Sequence, residues 1–555
     1  MDALPHERAG GGVISAGQRS APALTYEEVR AAVAALLERE QEALRPDDDL
    51  IGQGLDSISV MRLVGAWRRQ GAEVTFAELM ERPRLRAWAQ LLQARIAAPA
   101  PTLDPPPAEL DEQAPFELAP LQLAYWIGRG PEQALGVAAH FYAELDGGDV
   151  DPTRLERAVR GLMARHGMLR CRITEEGTGA IAEEGAWTGL TVHDVSMLDP
   201  EARAERLAEL RERGSHRRLA LEGGKGFDFT LTLLGGGATR LHIDLDMVVG
   251  DAQSFRILLS DLATLYESGS QGLAPLHFSF PRYLAERASA REEHPERAER
   301  AREYWQRRLD ELPGPPQLPL ATEPERVSAP RITRRFCRLA DVHRERLAAR
   351  AAEHGVTLSI VFATAFAEVL AAWSATPHFV LNLPFYDREL LHPDVERLVG
   401  DFTNVILLEV DATVEASFAE RARAVQEQLR RDALHSEHSG LSVLRELARR
   451  RGGDCAEAPV VFTSAISLGE LFDARVRRSF GDPAWTTSQT PGVWLDHQVT
   501  EREGGLYLNW DAVEELFADG VLDAMFGAYE GLLDWLAVSD WGGGLPDLVP
   551  GSQLA

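Results

Sequence analysis

The chain has 555 residues, 45% of them hydrophobic and 26% charged, with a formal net charge of -28 and three cysteines. That apolar content supports packed cores, and the length suits several domains of about 100–200 residues each. The acidity excludes nucleic acid as a partner class, because binding there needs clustered Lys and Arg to displace counterions; it suits partners with basic docking surfaces, or simply keeps a large chain in solution. Cys171, Cys337 and Cys455 stand far apart without a CxxC pair, which excludes a disulfide framework and a structural zinc site. No apolar run approaches the roughly 20 residues of a membrane span. The first residues lack the apolar stretch of a secretory signal, so the expectation is a cytoplasmic protein with no membrane partner.

In chain order, residues 1–22 read as a flexible polar tail and 23–97 as a compact helical unit. In that unit Thr25 with Glu28 forms a capping-box signature, followed by Val29, Val33, Leu36 and Leu37 at helical spacing. The loop "DDDLIGQGLD" leads to a helix carrying Val60, Leu63, Val64 and Trp67. Thr75 with Glu78 repeats the capping signature, and Pro83 suits the first turn of a last helix with Leu85, Trp88 and Leu92. Residues 98–114 are rich in proline and acids, the composition of a semi-stiff linker.

Beyond the linker the pattern is mixed. A helix starts at Asp151-Pro152, followed by the strand-like "MLRCRI"; a long helix covers Thr357 to Trp373, and "FVLNLPF" and "PVVFTSAI" read as strands. Strands and helices intermix without a βαβ rhythm, which predicts α+β layers, not a doubly wound sheet. The length suits two lobes, 115–290 and 291–545, before a tail at 546–555, and no sequence repeat is evident.

Two places carry candidate chemistry. In "GLDSI", Ser57 opens a helix, where it is either an ordinary cap or a hydroxyl whose attached phosphate would be favoured by helix N–H groups. In "HIDLDMVVGDAQSF", a strand runs into a loop with Asp246 and Asp251, and Ser254 follows at the start of a helix. Those acids can be catalysts, metal ligands or structural pins. A metal role needs further oxygen or nitrogen ligands at sensible spacing, and none is evident.

"DDDLIGQGLDSISVMRL" resembles the modification site of aryl and peptidyl carrier proteins, which implies 4′-phosphopantetheine on Ser57 with an acyl group held as a thioester. The region after the linker resembles the condensation family of nonribosomal peptide synthetases, whose signature is HHxxxDG. Here "DMVVGDAQS" puts Asp246 at the first histidine and Met247 at the second, and a thioether cannot take a proton near neutral pH. The stretch instead matches DxxxxDxxS of the heterocyclization branch. "FELAPLQLAYWIGRG", "RHGMLR", "YWQRRLDELP", "GDFTN", "PVVFTSAI" and "SQTPGVWLDHQ" follow the branch's motif order, so the likeness runs from Ala23 to about residue 545. It is nearest to the N-terminal part of pyochelin-type siderophore synthetases. Gly492 and Gly167 depart from residues common at those positions.

The resemblance implies an all-α four-helix carrier followed by two chloramphenicol-acetyltransferase-like lobes. It implies a ligase that joins an aryl group, salicyl or a related acid, to carrier-bound cysteine, then cyclises and dehydrates the product to a hydroxyphenyl-thiazoline. Asp496 of "LDHQ" is the implied catalytic carboxylate, Thr463 its hydrogen-bonding partner, and Asn382 a further reaction residue. Arg388 is expected to pair with Asp251 and tie the lobes; Asp246 should anchor its loop and Ser254 should cap the next helix. His166 and His497 read as orienting or packing residues. Implied partners are a phosphopantetheinyl transferase, an aryl-adenylating enzyme acting in trans, and a downstream cysteinyl carrier. The chain is expected to be the front end of a longer synthetase or a piece of one. Amide formation without cyclization and a silent carrier-docking module are the rival functions.

Overall fold

The computed structural model describes residues 24–549 apart from positions 38, 73, 96–113, 131 and 452–457. The proposed tail 1–22, nearly all of the linker, Cys455 and most of the C-terminal tail lie outside the described residues.

Four helices, α1 (Tyr26–Leu36), α2 (Ser57–Arg69), α3 (Phe76–Glu81) and α4 (Leu85–Arg95), form the small N-terminal unit. Capping boxes at Thr25/Glu28 and Thr75/Glu78 start α1 and α3, each satisfying two otherwise unpaired backbone donors. The apolar stripes meet around Trp67 and Trp88, whose rings pack edge to face at 5.8 Å. Pro83 stands ahead of α4 and not in its first turn, because its carbonyl is engaged by the Leu50 amide at 2.8 Å.

The rest of the described chain is layered α+β. One sheet has five strands, ordered Asp482–Gln489, His140–Gly148, Ala238–Asp246, Phe227–Gly235 and Thr191–Asp194. Helices Pro152–Arg165 and Ala252–Ser268 cover it, and their apolar residues share its core. A second sheet has six strands, ordered Thr403–Asp411, His378–Tyr386, Val460–Ser464, Leu495–Arg502, Gly505–Val513 and Ile332–Leu339, and a small third sheet joins Phe116–Glu117, Thr178–Ile181 and Cys171–Ile173. The nearly all-apolar helix Leu358–Trp373 and the helix Val521–Val538 bury one face of the six-stranded sheet. The strand Asp482–Gln489 belongs by sequence to the second half of the chain but pairs antiparallel with His140–Gly148. The helix Phe280–Glu293 likewise runs through residue 290. The segment "MLRCRI" is a 3-10 turn followed by the short strand Cys171–Ile173. Among the described residues no single helix is long and apolar enough to cross a membrane.

Candidate active site

Between the two larger sheets lies a cavity of about 330 Å³, walled by Tyr125, Phe141 and Met247 on one side and by the strands of the six-stranded sheet on the other. Register decides what those strands present. Asn382, Val461, Asp496, Asp511 and Arg334 are successive partners across five neighbouring strands. Paired residues point to the same face, so the sheet sets three titratable groups and an amide in one row. The period of two then sends Asp496, Gln498 and Thr500 into the cavity and His497 into the core behind. His497 is fully buried there, with Nε2 2.7 Å from the Tyr529 hydroxyl, and burial pushes its pKa down to about 3. His166 is buried elsewhere, 2.9 Å from Asp261. Neither lines the cavity.

Asp496 is held by two side chains. Gln498 Nε2 donates to Oδ2 at 2.6 Å, and Thr463 Oγ1 donates to Oδ1 at 3.4 Å. Burial, and then the charge of Asp511, push its pKa up to about 7. Asp511 pairs with Arg334, whose Nε donates to Oδ1 at 2.6 Å, and its other oxygen accepts the Ser488 hydroxyl at 2.9 Å. Sequence reasoning missed Asp511, Arg334 and Ser488; register joins the first two, and Ser488 reaches Asp511 from a strand of the five-stranded sheet. Asn382 lines the same cavity, and among the described residues its buried Oδ1 has no hydrogen-bond partner.

The "DMVVGDAQS" loop forms the opposite wall. Asp246 is fully buried, accepts the Val248 amide at 3.1 Å and lies 3.3 Å from Arg129 Nη1; burial pushes its pKa up to about 6. Asp251 stands 3.1 Å from Arg388 Nη2. The Arg388 guanidinium also donates to the carbonyls of Val395 and Leu398 at 3.0 and 2.7 Å and lies 3.9 Å over the Phe402 ring. The helix cap is Asp251, not Ser254: its Oδ1 accepts the Ser254 amide at 2.7 Å. Ser254 Oγ donates instead to the Gly400 carbonyl at 2.7 Å and accepts the Gly400 amide at 3.1 Å. The expectation failed because an acceptor three residues before the helix's third amide outranks a serine already inside the first turn. Among the described residues no group of three His, Cys, Asp or Glu is placed to hold a metal.

On the carrier unit, Ser57 is the first residue of α2, and Asp56, not Ser57, is the N-cap, accepting the Ser59 amide at 2.7 Å. A 13-residue helix beginning there has its positive dipole end at Ser57, a setting that fits a phosphodiester. The other Asp56 oxygen accepts the Ser467 hydroxyl at 2.7 Å, so α2 begins against the loop that follows Val460–Ser464. Farther along α2, Arg68 and Arg69 pair with Glu389 and Glu396 at 2.9 and 3.0 Å. Phe76 meets Phe385 edge to face at 5.7 Å.

Comparison with known proteins places these features in a family. A condensation-domain profile matches residues 136–537, and a phosphopantetheine attachment-site profile matches residues 27–92. The phenyloxazoline synthase MbtB of Mycobacterium bovis is 46% identical over 537 residues, 95% of this chain and 37% of that protein. Pyochelin synthetase PchE of Pseudomonas aeruginosa is 41% identical over 516 residues, 92% of this chain and 35% of that protein. The chain thus spans little more than a third of these curated relatives. Among solved structures, the EpoB cyclization-docking bidomain from Sorangium cellulosum superposes with a TM-score of 0.73 at 33% identity, covering 87% of this chain and 99% of that one. The chain belongs to the condensation family of nonribosomal peptide synthetases, with a phosphopantetheine carrier unit ahead of a cyclization-type condensation domain.

Proposed function

We propose that this chain couples a carrier-bound aryl group to a carrier-bound amino acid and closes the product into a five-membered ring. The observation that carries the reading is the cavity carboxyl Asp496, poised near pKa 7 between Gln498 and Thr463. Residues 23–97 act as the carrier, 98–114 as linker, and 115–290 and 291–545 as the two lobes of the catalytic domain. Ser57 carries 4′-phosphopantetheine, which supplies a thiol that holds the aryl group as a thioester.

After amide formation, the side-chain nucleophile of the amino acid adds to the amide carbonyl. Loss of water then needs a proton on the departing hydroxyl and removal of one from nitrogen. Protonated Asp496 gives the first as the C–O bond breaks. Its carboxylate takes the second as the C=N bond forms, which restores the acid. A carboxyl with pKa near the working pH suits both transfers. Thr463 and Gln498 aim it, and Asn382 positions the substrate amide. Asp246, Asp251, Ser254 and Arg388 brace the wall.

Cysteine and a hydroxyphenyl-thiazoline are the first reading, with salicyl the aryl group and siderophore assembly the setting. The higher identity to phenyloxazoline synthases favours a second reading, because an oxazoline needs the hydroxyl of serine or threonine. The aryl group is loaded in trans by an adenylating enzyme after a phosphopantetheinyl transferase has acted, in the cytoplasm, and the acceptor is a downstream aminoacyl carrier. Cysteinyl, seryl and threonyl acceptor carriers, each offered to the aryl-loaded chain, test the assignment by product mass. Ring formation appears as loss of one water from the amide. A linear amide from all three acceptors overturns cyclization, and an Asp496→Ala variant that still closes the ring overturns the role of Asp496. Ser57→Ala must abolish the mass gain from coenzyme A and transferase.

A further inference from the structure

The "GDFTN" segment has no role in the scheme above, yet its acid stands in the same cavity. The Gly400 carbonyl accepts the Asp251 amide at 3.1 Å and the Ser254 hydroxyl at 2.7 Å, and the Phe402 amide donates to Asp251 Oδ2 at 3.2 Å. A Cβ at Gly400 would stand 2.1 Å from Phe280 Cδ2, so only glycine lets the turn sit this close. This turn holds Asp401 in the cavity wall with Tyr125, Met247 and Gly250. Asp401 is 3% exposed; its Oδ1 accepts the Thr403 amide at 3.0 Å, and among the described residues its buried Oδ2 has no hydrogen-bond partner.

An unpaired buried carboxylate is costly and takes up a proton instead. Arg388, committed to Asp251 and to two carbonyls, and the Thr403 contacts offset that cost only in part. Burial, and then the charge on Asp251, push the Asp401 pKa up to about 8. Besides Asp251, which is paired with Arg388, and Glu501, the cavity wall thus holds two acids on different supports: Asp496 on a strand with side-chain partners, and Asp401 beside the loop where Met247 occupies the histidine position of ordinary condensation domains.

We propose that Asp401 is the catalytic acid–base of the amide-forming step, doing the proton transfer that Met247 cannot. The inference rests on the cyclization reading only in assigning the second step to Asp496. As the amine nitrogen bonds to the thioester carbonyl carbon and the C–S bond breaks, the neutral Asp401 carboxyl gives its proton to sulfur. The carboxylate so formed takes the extra proton from nitrogen. Amide, thiol and neutral Asp401 result, and no other reactant is consumed.

The test measures the two steps apart in the full holo chain. Amide formation is followed in a single turnover of aryl-loaded chain with aminoacyl acceptor carrier. Ring closure is followed from a chemically prepared linear aryl-aminoacyl acceptor carrier. Asp401→Asn is expected to slow amide formation by about 100-fold or more while leaving ring closure unchanged, and Asp496→Asn to do the reverse. Asp401→Glu should recover more amide formation than Asp401→Asn; a merely structural role predicts the opposite order, because Asn is the closer shape. The infrared difference between unmodified wild type and Asp401→Asn at pH 7 should show one protonated carboxyl. Unchanged amide formation in Asp401→Asn, equal loss of both steps, or absence of that carboxyl band overturns the proposal. If wild type forms amide but no ring, the cyclization reading falls and the amide arm still decides Asp401.

Discussion

The packing of α2 against the catalytic domain turns on Gly65. A Cβ built there would stand 1.7 Å from Leu390 Cδ1 and 3.0 Å from its Cγ, so Leu390 is seated where an alanine side chain would be. Within the helix alone, Gly65→Ala should stabilise α2 by about 0.5–1 kcal/mol, by reducing the freedom of the unfolded backbone. In the docked arrangement the added methyl forces Leu390 off its rotamer or moves α2 outward, at an overpacking cost of about 1–3 kcal/mol. Outward movement also loosens the Arg68–Glu389 and Arg69–Glu396 pairs, each a partly exposed contact of at most about 1 kcal/mol. The two effects have opposite signs, and that makes the variant informative. The docking equilibrium should fall by about 5–150-fold, the equivalent of about 1–3 kcal/mol. Hydrogen exchange in the segment around Leu390 should rise, single-turnover amide formation should slow, and modification of Ser57 by the transferase should continue at the wild-type rate. The carrier's own melting temperature should increase. Unchanged exchange around Leu390 with unchanged turnover would refute the reasoning, and so would a destabilised carrier.

Arg388→Met leaves Asp251 buried without its cation and two carbonyls without donors, and should cost about 3–5 kcal/mol in denaturant unfolding. Asp496→Asn should gain stability relative to wild type as pH rises: the folded-state pKa, about 7, lies above the unfolded 3.8, so wild type loses stability as pH climbs through 7 and the amide does not. Melting curves at pH 5.5 and 8.5 check the sign, and a constant difference contradicts it. Thr463→Val removes a hydroxyl that favours the Asp496 carboxylate; the alkaline limb of ring closure should move to higher pH and the rate fall by about tenfold, the low end for a hydrogen bond to a charged group.

The elements legible in the sequence were those whose causes are local. Thr25 with Glu28 and Thr75 with Glu78 predicted their caps because donor and acceptor lie three residues apart. The departures have different causes: Ser254 yields the cap to Asp251, three residues earlier in the position that caps best, whereas Pro83 stands ahead of α4 with its carbonyl bound to the Leu50 amide from far earlier in the chain. Asp496, Thr463 and Asn382 were legible only through their likeness to family motifs. Nothing in their own spacing joins them, since the Thr463–Asp496 contact spans 33 residues and the Asp511–Arg334 pair spans 177.

By itself the sequence determined the carrier helices, the α+β class, the family and the loss of the histidine at Met247, because periodicity, caps and motif order are written along the chain. Only the tertiary structure decided that Asp496 faces a cavity while His497 faces the core, that Asp511 pushes its neighbour's pKa upward, and that among the described residues one buried oxygen of Asp401 is left without a hydrogen-bond partner. Those properties depend on sheet register and burial. Both are set by contacts between strands far apart in sequence, including Asp482–Gln489 crossing into the other sheet.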